Sequence, residues 1–186
     1  MPERWPTMDR TMKPILLIGY MGCGKSTLGR KLARRLGVPF FDTDTLVEEH
    51  EGAAVADIFR FEGEERFRTL EREALLGILA QGACCVVSTG GGLPAWRDNA
   101  ALLDAAGHTV YLRRTAEQIA RRLSPYGRRK RPKLAGLSDG ELVEFMRRDM
   151  ALREPLYARA RTVIDCEGRT DEELVETIVK EVSDGE

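Results

Sequence analysis

Apolar residues along this chain follow two rhythms. Short apolar stretches at residues 14–19, 38–41, 83–88, 109–112 and 162–165 have the length and β-branched content of buried strands. Between them, apolar positions recur at helical spacing. In Lys25–Leu36, Leu28, Leu32, Ala33 and Leu36 share one face, basic residues occupy the other, and Gly37 supplies a stop. Further helices are predicted over 45–81 (interrupted at Gly52 and Gly63), 96–106 (with Pro94 near its start) and 115–123 (ended by Pro125). Two more are predicted over 138–160, with Ser138 as N-cap, and over 171–182, capped by Thr170 or Asp171. Residues 125–136, rich in Arg, Lys, Pro and Gly, read as a loop.

Five short apolar strands separated by helices predict one parallel sheet covered on both faces. No internal repeat and no linker divides the pattern, so residues 14–186 are expected to form a single domain. Residues 1–13 contain Pro2, Arg4, Pro6, Asp9 and Arg10 and no apolar run; they read as a disordered extension rather than a secretory signal.

Composition narrows the class without identifying it. A chain of 186 residues, 42% hydrophobic and 32% charged, is ordinary for a globular domain with a proper core. No apolar run reaches the about 20 residues of a membrane helix. Lys+Arg total 29 against 30 Asp+Glu, a net charge of -1, which argues against a chain that coats nucleic acid. Cys23, Cys84, Cys85 and Cys166 show no CxxC spacing. They read as small buried side chains in a reducing cytoplasm, not as a disulfide framework or zinc site.

The first chemical signal is Gly19-Tyr-Met-Gly-Cys-Gly24-Lys25-Ser26, a match to G-x-x-x-x-G-K-[ST] between a predicted strand and a predicted helix. Glycines let the backbone N–H groups turn inward around a phosphate, and the helix presents its positive end to the same anion. Lys25 can bridge β- and γ-phosphates, and Ser26 can place its hydroxyl on Mg²⁺. This predicts nucleotide binding and leaves the phosphate acceptor open.

Three further features bear on the acceptor. Asp42 and Asp44 follow the second strand, where ligands of open parallel sheets sit; they can serve Mg²⁺ and an attacking hydroxyl, or simply cap the next helix. Arg68 lies beside Phe67 on a helix whose Phe67, Leu70 and Leu75 have core spacing. It can grip a carboxylate, or be a solvated charge. Gly90, Gly91 and Gly92 follow the third strand and allow close backbone approach, or simply flexibility. That strand ends Val87-Ser88-Thr89, without the acidic residue that nucleotide hydrolases often carry there, so magnesium would depend on Ser26 and Asp42.

Residues 113–133 concentrate positive charge, with only Glu117 opposing it. Within a near-neutral chain this suggests a lid over polyphosphate. A nucleic-acid contact is the rival, but Tyr126 is the only aromatic residue interleaved. Arg153, in Arg153-Glu-Pro-Leu-Tyr157, is open between anion binding and surface charge.

Taken together, these motifs resemble the shikimate kinase family, from about residue 15 to 179. The family pattern G-x-M-G-x-G-K-S-T-x-G-R is filled by residues 19–30, and F-x-D-x-D is met at Phe41-Asp-Thr-Asp44. I-F-x-x-x-G-E-x-x-F-R-x-x-E is filled by residues 58–71. Gly90 to Gly92, Arg131-Pro132 and the R-x-P-L-Y of 153–157 complete the order.

The resemblance implies a P-loop NTPase fold of the nucleoside-monophosphate-kinase type: a three-layer α/β/α domain with a five-stranded parallel sheet and a mobile lid over about 124–137. It implies ATP and Mg²⁺, with Gly22, Cys23, Gly24, Lys25, Ser26 and Thr27 at the phosphates and Ser26 and Asp42 at the metal. Arg131 would reach the phosphates and Arg122 pack on adenine. Asp44 would contact the acceptor hydroxyls as base or orienting group. Arg68 and Arg153 would bind the acceptor carboxylate, with the backbone of Gly90, Gly91 and Gly92 beside the ring. Lys25, Asp44 and Arg131 would be catalytic. The implied reaction moves the ATP γ-phosphate to the 3-hydroxyl of shikimate, toward chorismate and the aromatic amino acids. The alternative is a related kinase of another hydroxy acid: quinate, homoserine or gluconate. The expected enzyme is a cytoplasmic monomer whose partner is a small-molecule substrate, with no nucleic acid and no membrane. Three departures stand out: the chain reads Arg131-Pro-Lys133-Leu134 where the family has R-P-L-L, the lid is longer and more basic than usual, and the stretch between Arg131 and Arg153 is about three residues longer.

Overall fold

The computed structural model describes residues 13–129, 131 and 133–184. The expected extension at 1–13 therefore lies outside the described residues except for Lys13, as does Pro132 of the lid motif. The five strands are β1 (Ile15–Ile18), β2 (Phe40–Asp42), β3 (Val86–Ser88), β4 (His108–Arg113) and β5 (Thr162–Asp165). They form one sheet in the order β2-β3-β1-β4-β5, with every pairing parallel. β1 is central and buried on both faces, which is why its sequence is an unbroken apolar run rather than an alternating one.

The helices are α1 (Lys25–Leu36), α2 (Thr43–Glu51), α3 (Val55–Phe61), α4 (Gly63–Leu79), α5 (Asn99–Ala106), α6 (Ala116–Arg122), α7 (Pro125–Arg129), α8 (Asp139–Tyr157) and α9 (Asp171–Asp184). The predicted face of α1 is the buried one: Leu28, Leu32, Ala33 and Leu36 join the main core around the sheet. A second, smaller cluster of Val47, Ile58, Phe67 and Leu70 packs α2, α3 and α4 together. Its Phe67 and Leu70 lie on α4, the helix that carries Arg68.

Side-chain caps decide several boundaries. The predicted break at Gly52 holds, and Gly63 opens α4 with φ +86°, separating it from α3. α2 starts at Thr43 rather than 45 because Asp42 Oδ1 accepts from Asp44 N (3.1 Å) and Thr45 N (3.4 Å). Ser138 caps α8 in a reciprocal pair with Glu141, as expected. Thr170 rather than Asp171 caps α9, accepting from Glu173 N at 3.2 Å.

Two expectations are corrected. The helix expected from residue 96 begins at Asn99, preceded by a 3₁₀ turn at Leu93–Ala95. The buried side chain of Asn99 donates to Leu93 O (3.0 Å) and holds that turn closed. The expected loop at 125–136 contains α7: Pro125 suits a first helical turn, and Ser124 Oγ accepts from Gly127 N at 3.0 Å.

Cys23, Cys85 and Cys166 are buried, as expected of small apolar side chains, and Cys84 is half-buried. Burial first pushes the thiols of Cys85 and Cys166 up to about 11. Among the described residues no helix is long and apolar enough to cross a membrane, and no group of three or more His, Cys, Asp or Glu side chains is placed to hold a metal.

Gly29 gives a direct test of this packing. A Cβ there would lie 2.5 Å from Phe40 Cε2 and 3.1 Å from Leu17 Cδ1. Replacing an interior helix glycine by alanine normally gains about 1 kcal/mol. Forcing an extra carbon into a filled space costs about 1–3 kcal/mol. The clash should win, so Gly29→Ala is expected to lower Tm in calorimetry; an unchanged or higher Tm would show that the α1–β2 contact yields freely.

Candidate active site

The site begins where β1 ends. Gly19, Gly22 and Gly24 take φ values of +142°, +81° and +106°, so the loop from β1 to α1 needs glycine at each of these positions. Gly22 also packs on α6, where a Cβ would meet Ile119 and Leu123 at 3.1 Å. No acidic residue stands in the first turn of α1, which leaves its positive end available to an anion. Lys25 is buried, and its Nζ donates to Gly19 O (2.8 Å) and Tyr20 O (3.0 Å), holding the loop curled around the ammonium. The Sγ of Cys23 lies 3.8 Å from the same Nζ, and the Cys23 N–H is taken up by Tyr20 O. Cys23 therefore shapes the loop from within, whereas Gly22, Gly24, Lys25, Ser26 and Thr27 all border the cavity.

Beside the loop lies a cluster of oxygen atoms. Register pairs Asp42 at the end of β2 with Ser88 at the end of β3. Ser26 Oγ donates to Asp42 Oδ2 at 2.6 Å and lies 3.4 Å from Ser88 Oγ. One oxygen of Asp42 caps α2, as its sequence position allowed, and the other accepts from Ser26. A carboxylate and hydroxyls, all hard oxygen donors, fit Mg²⁺ held partly through water and substrate phosphates. The carboxylate that β3 lacks is supplied by the neighbouring strand.

Asp44, Arg68, Gly90, Gly91 and Gly92 line the same cavity, of about 530 Å³, as Lys25 and Ser26. Arg68 Nη1 donates to Glu71 Oε2 at 2.6 Å, and Nη2 lies 3.4 Å from Glu64 Oε1. Glu71 is fully buried and also accepts from Thr43 Oγ1 (3.2 Å), which in turn accepts from Gly90 N (2.9 Å). Burial, the largest influence, leaves the Glu71 carboxyl raised although Arg68 pulls it down.

Asp44 Oδ1 is a buried oxygen with no hydrogen-bond partner among the described residues. Burial first, then the Glu71 and Asp42 carboxylates, push the Asp44 carboxyl up to about 7. The glycine triplet serves close packing rather than flexibility. A Cβ on Gly90 would strike Glu71 and come within 2.7 Å of Asp44 Oδ1, one on Gly91 would sit 2.8 Å from Met21 N, and one on Gly92 would strike Arg68.

The basic segment closes the far wall. Arg122, Arg131 and Lys133 all border the cavity, and Arg122 Nη2 lies 3.6 Å from where a Cβ of Gly24 would be. Arg131 donates to Gly127 O, and burial lowers its pKa despite the nearby Asp44 carboxylate. Lys133, the residue that departs from the family pattern, bonds Glu64 Oε1 at 2.8 Å. That oxygen also faces Arg68, so Lys133 and Arg68 share a carboxylate.

One predicted residue stands apart. Arg153 does not border the cavity. It is 8% exposed and sits behind Gly91, donating to Gly91 O at 3.1 Å. Sequence reasoning also missed several supporting groups. Glu71 was legible as the acid three residues after Arg68 on one helix face. Thr43 and Arg114 were not: Arg114 was one charge in a basic run, yet it is buried and donates to Cys23 O (2.9 Å) and Cys166 O (3.1 Å), bracing the phosphate loop from below.

The shikimate kinase family model matches residues 21–183. The chain is 40% identical over 167 residues to a shikimate kinase of Parabacteroides distasonis, covering 90% of this chain and 95% of the relative. It is 41% identical over 168 residues to that of Geobacter metallireducens, covering 90% of each. Among solved structures, the shikimate kinase of Acinetobacter baumannii in complex with shikimate superposes with a TM-score of 0.87 at 32% identity, covering 95% of this chain and 96% of that one. A phosphate loop, a buried carboxylate oxygen with no partner among the described residues and the Arg68 guanidinium border one cavity, and with similarity of this extent the chain belongs to the shikimate kinase family.

Proposed function

We propose that this protein transfers the γ-phosphate of ATP to the 3-hydroxyl of shikimate, giving shikimate 3-phosphate and ADP, a step toward chorismate and the aromatic amino acids. The observation that carries this reading is the single cavity bordered on one side by Lys25 and on the other by Asp44 and Arg68. A phosphate donor and a carboxylate-bearing alcohol can meet there. That the relative from Acinetobacter baumannii was solved with shikimate supports the choice of acceptor.

In this reading the chemistry is positioning and charge neutralisation, without a phosphoenzyme. Lys25 gives up its loop carbonyls to contact the phosphates. Arg122 holds the adenine side and Arg131 meets the transferring group, both from the cavity wall. This use of the basic segment for polyphosphate, rather than for nucleic acid, rests on those two side chains sharing the cavity with Lys25. Ser26 and Asp42 hold Mg²⁺, which neutralises phosphate charge when bound. Arg68, fixed by Glu71, takes the acceptor carboxylate as a bidentate partner. Asp44 Oδ1 accepts the hydroxyl hydrogen bond that none of the described residues supplies, and takes the proton as the hydroxyl attacks. The enzyme acts as a monomer in the cytoplasm.

ADP release in a coupled assay tests the acceptor. Shikimate should stimulate it strongly, and quinate, homoserine and gluconate should not; stimulation by one of those acids alone would move the acceptor to that acid. Lys25→Met should lower kcat by roughly 10²–10³-fold, the loss typical of a preorganised donor to transition-state charge. Near-normal turnover in the folded variant would remove Lys25 from the mechanism. Asp44→Asn should lower kcat by about 10²–10⁴-fold, the usual contribution of a positioned base, with the KM for ATP unchanged. Equal loss in ATP affinity would argue against an acceptor-side role.

A further inference from the structure

Arg153 is held by a set of contacts that reaches from the acceptor side into the phosphate loop. Its Nη2 meets Asp149 at 2.9–3.0 Å, one helical turn back on α8. The other oxygen-bearing partner of Asp149 is Tyr20, whose hydroxyl donates to Asp149 Oδ2 at 2.7 Å. Tyr20 is the second residue of the phosphate loop, directly after Gly19, and is 1% exposed. Its ring lies 5.4 Å from the Arg153 guanidinium carbon, within cation–π range. On the other side, Arg153 Nη1 and the Tyr157 hydroxyl both donate to Gly91 O. Gly91 in turn packs on the loop backbone, its Cα carrying no group that would collide with Met21 N.

We propose that Tyr20 and Asp149 are positioning residues for the acceptor half of the site. Through the Tyr20–Asp149–Arg153–Gly91 chain, the phosphate loop sets the place of Arg153 and of the glycine backbone beside the acceptor. The physical argument is one of satisfied valence. Arg153 carries a charge in a nearly closed space, and a buried cation is tolerated only with its partners in place. Asp149 is its counter-charge. The Tyr20 hydroxyl fixes the rotamer of that carboxylate, and the Tyr20 ring covers one face of the guanidinium. Removing either polar group frees Arg153 to turn and lets the Gly91 carbonyl lose one of its two donors. Neither Tyr20 nor Asp149 borders the cavity, so neither touches substrate. Their effect reaches substrate only through Gly91, which borders the cavity and which Arg153 holds from behind.

This inference rests on the proposed shikimate kinase activity, and the experiment separates the two. Tyr20→Phe keeps the ring and removes the hydroxyl; Asp149→Asn keeps the shape and removes the charge. Steady-state kinetics should show the KM for shikimate raised about tenfold in each, the size of one charge-assisted hydrogen bond, with kcat and the KM for ATP within about twofold of wild type. The double variant should be little worse than either single one, because both act through the same arginine. An unchanged KM for shikimate in both variants, with the wild-type enzyme active, would overturn the proposal. So would equal losses in kcat and in the KM for ATP, which a merely structural role would produce. A wild-type enzyme that ignores shikimate would instead overturn the activity itself.

Discussion

Five parallel strands end at one edge of the sheet, and the phosphate loop, the oxygen cluster and the glycine triplet all leave it there. A parallel sheet gives no choice in this: strands that run the same way open their loops on the same side. Register makes the arrangement specific. Leu17 pairs with Ser88 and Asp42 with Ser88, so β1, β3 and β2 deliver the phosphate loop, a hydroxyl and a carboxylate to adjoining positions. A shift of one residue would turn Asp42 and Ser88 to opposite faces. The Ser26–Asp42 contact at 2.6 Å is the outcome of that register, and the capping of α2 by the same carboxylate then fixes where Asp44 stands.

Upon that frame the protein builds an uneven electrostatic balance. Lys25, Arg68, Arg114 and Arg153 are all nearly buried, and each has its donors engaged by carbonyls or carboxylates. Glu71 is fully buried and answered by Arg68 and Thr43. Asp44 breaks the rule, with an oxygen that is buried and unpartnered among the described residues. A polar group left without a bond in such a place lowers stability. Its position on the cavity beside Arg68 gives the cost a purpose, since a substrate hydroxyl can supply the missing bond. The raised carboxyl of Asp44 follows from the same crowding of burial and neighbouring acids.

Much of this was legible in the amino-acid sequence wherever the cause is local. The phosphate loop, the amphipathic face of α1, the caps at Ser138 and Thr170, and the acid pair at Asp42 and Asp44 depend on residues a few positions apart. The 3₁₀ turn before α5 was not legible, because it rests on the buried amide of Asn99 folding back on Leu93. The short helix α7 hid in a basic stretch whose composition suggested a loop, although Pro125 and Ser124 carried the signal. Arg114 and Arg153 show the deeper limit. Each is one arginine among many in the sequence, and only long-range packing makes one a brace for the phosphate loop and sets the other behind Gly91. The Tyr20–Asp149 bond joins residues 129 apart, beyond the reach of any periodicity. Lys133, which departs from the family pattern, finds its partner Glu64 69 residues away.

The central claim is that the two halves of one cavity join a phosphate donor to a particular hydroxyl. The most direct measurement is ³¹P NMR of the product formed from ATP, Mg²⁺ and shikimate by the wild-type protein. The account predicts one new phosphomonoester, coupled to the proton on carbon 3 of the shikimate ring, in equal amount to the ADP formed. Inorganic phosphate in place of an ester, or an ester at another ring position, would contradict it.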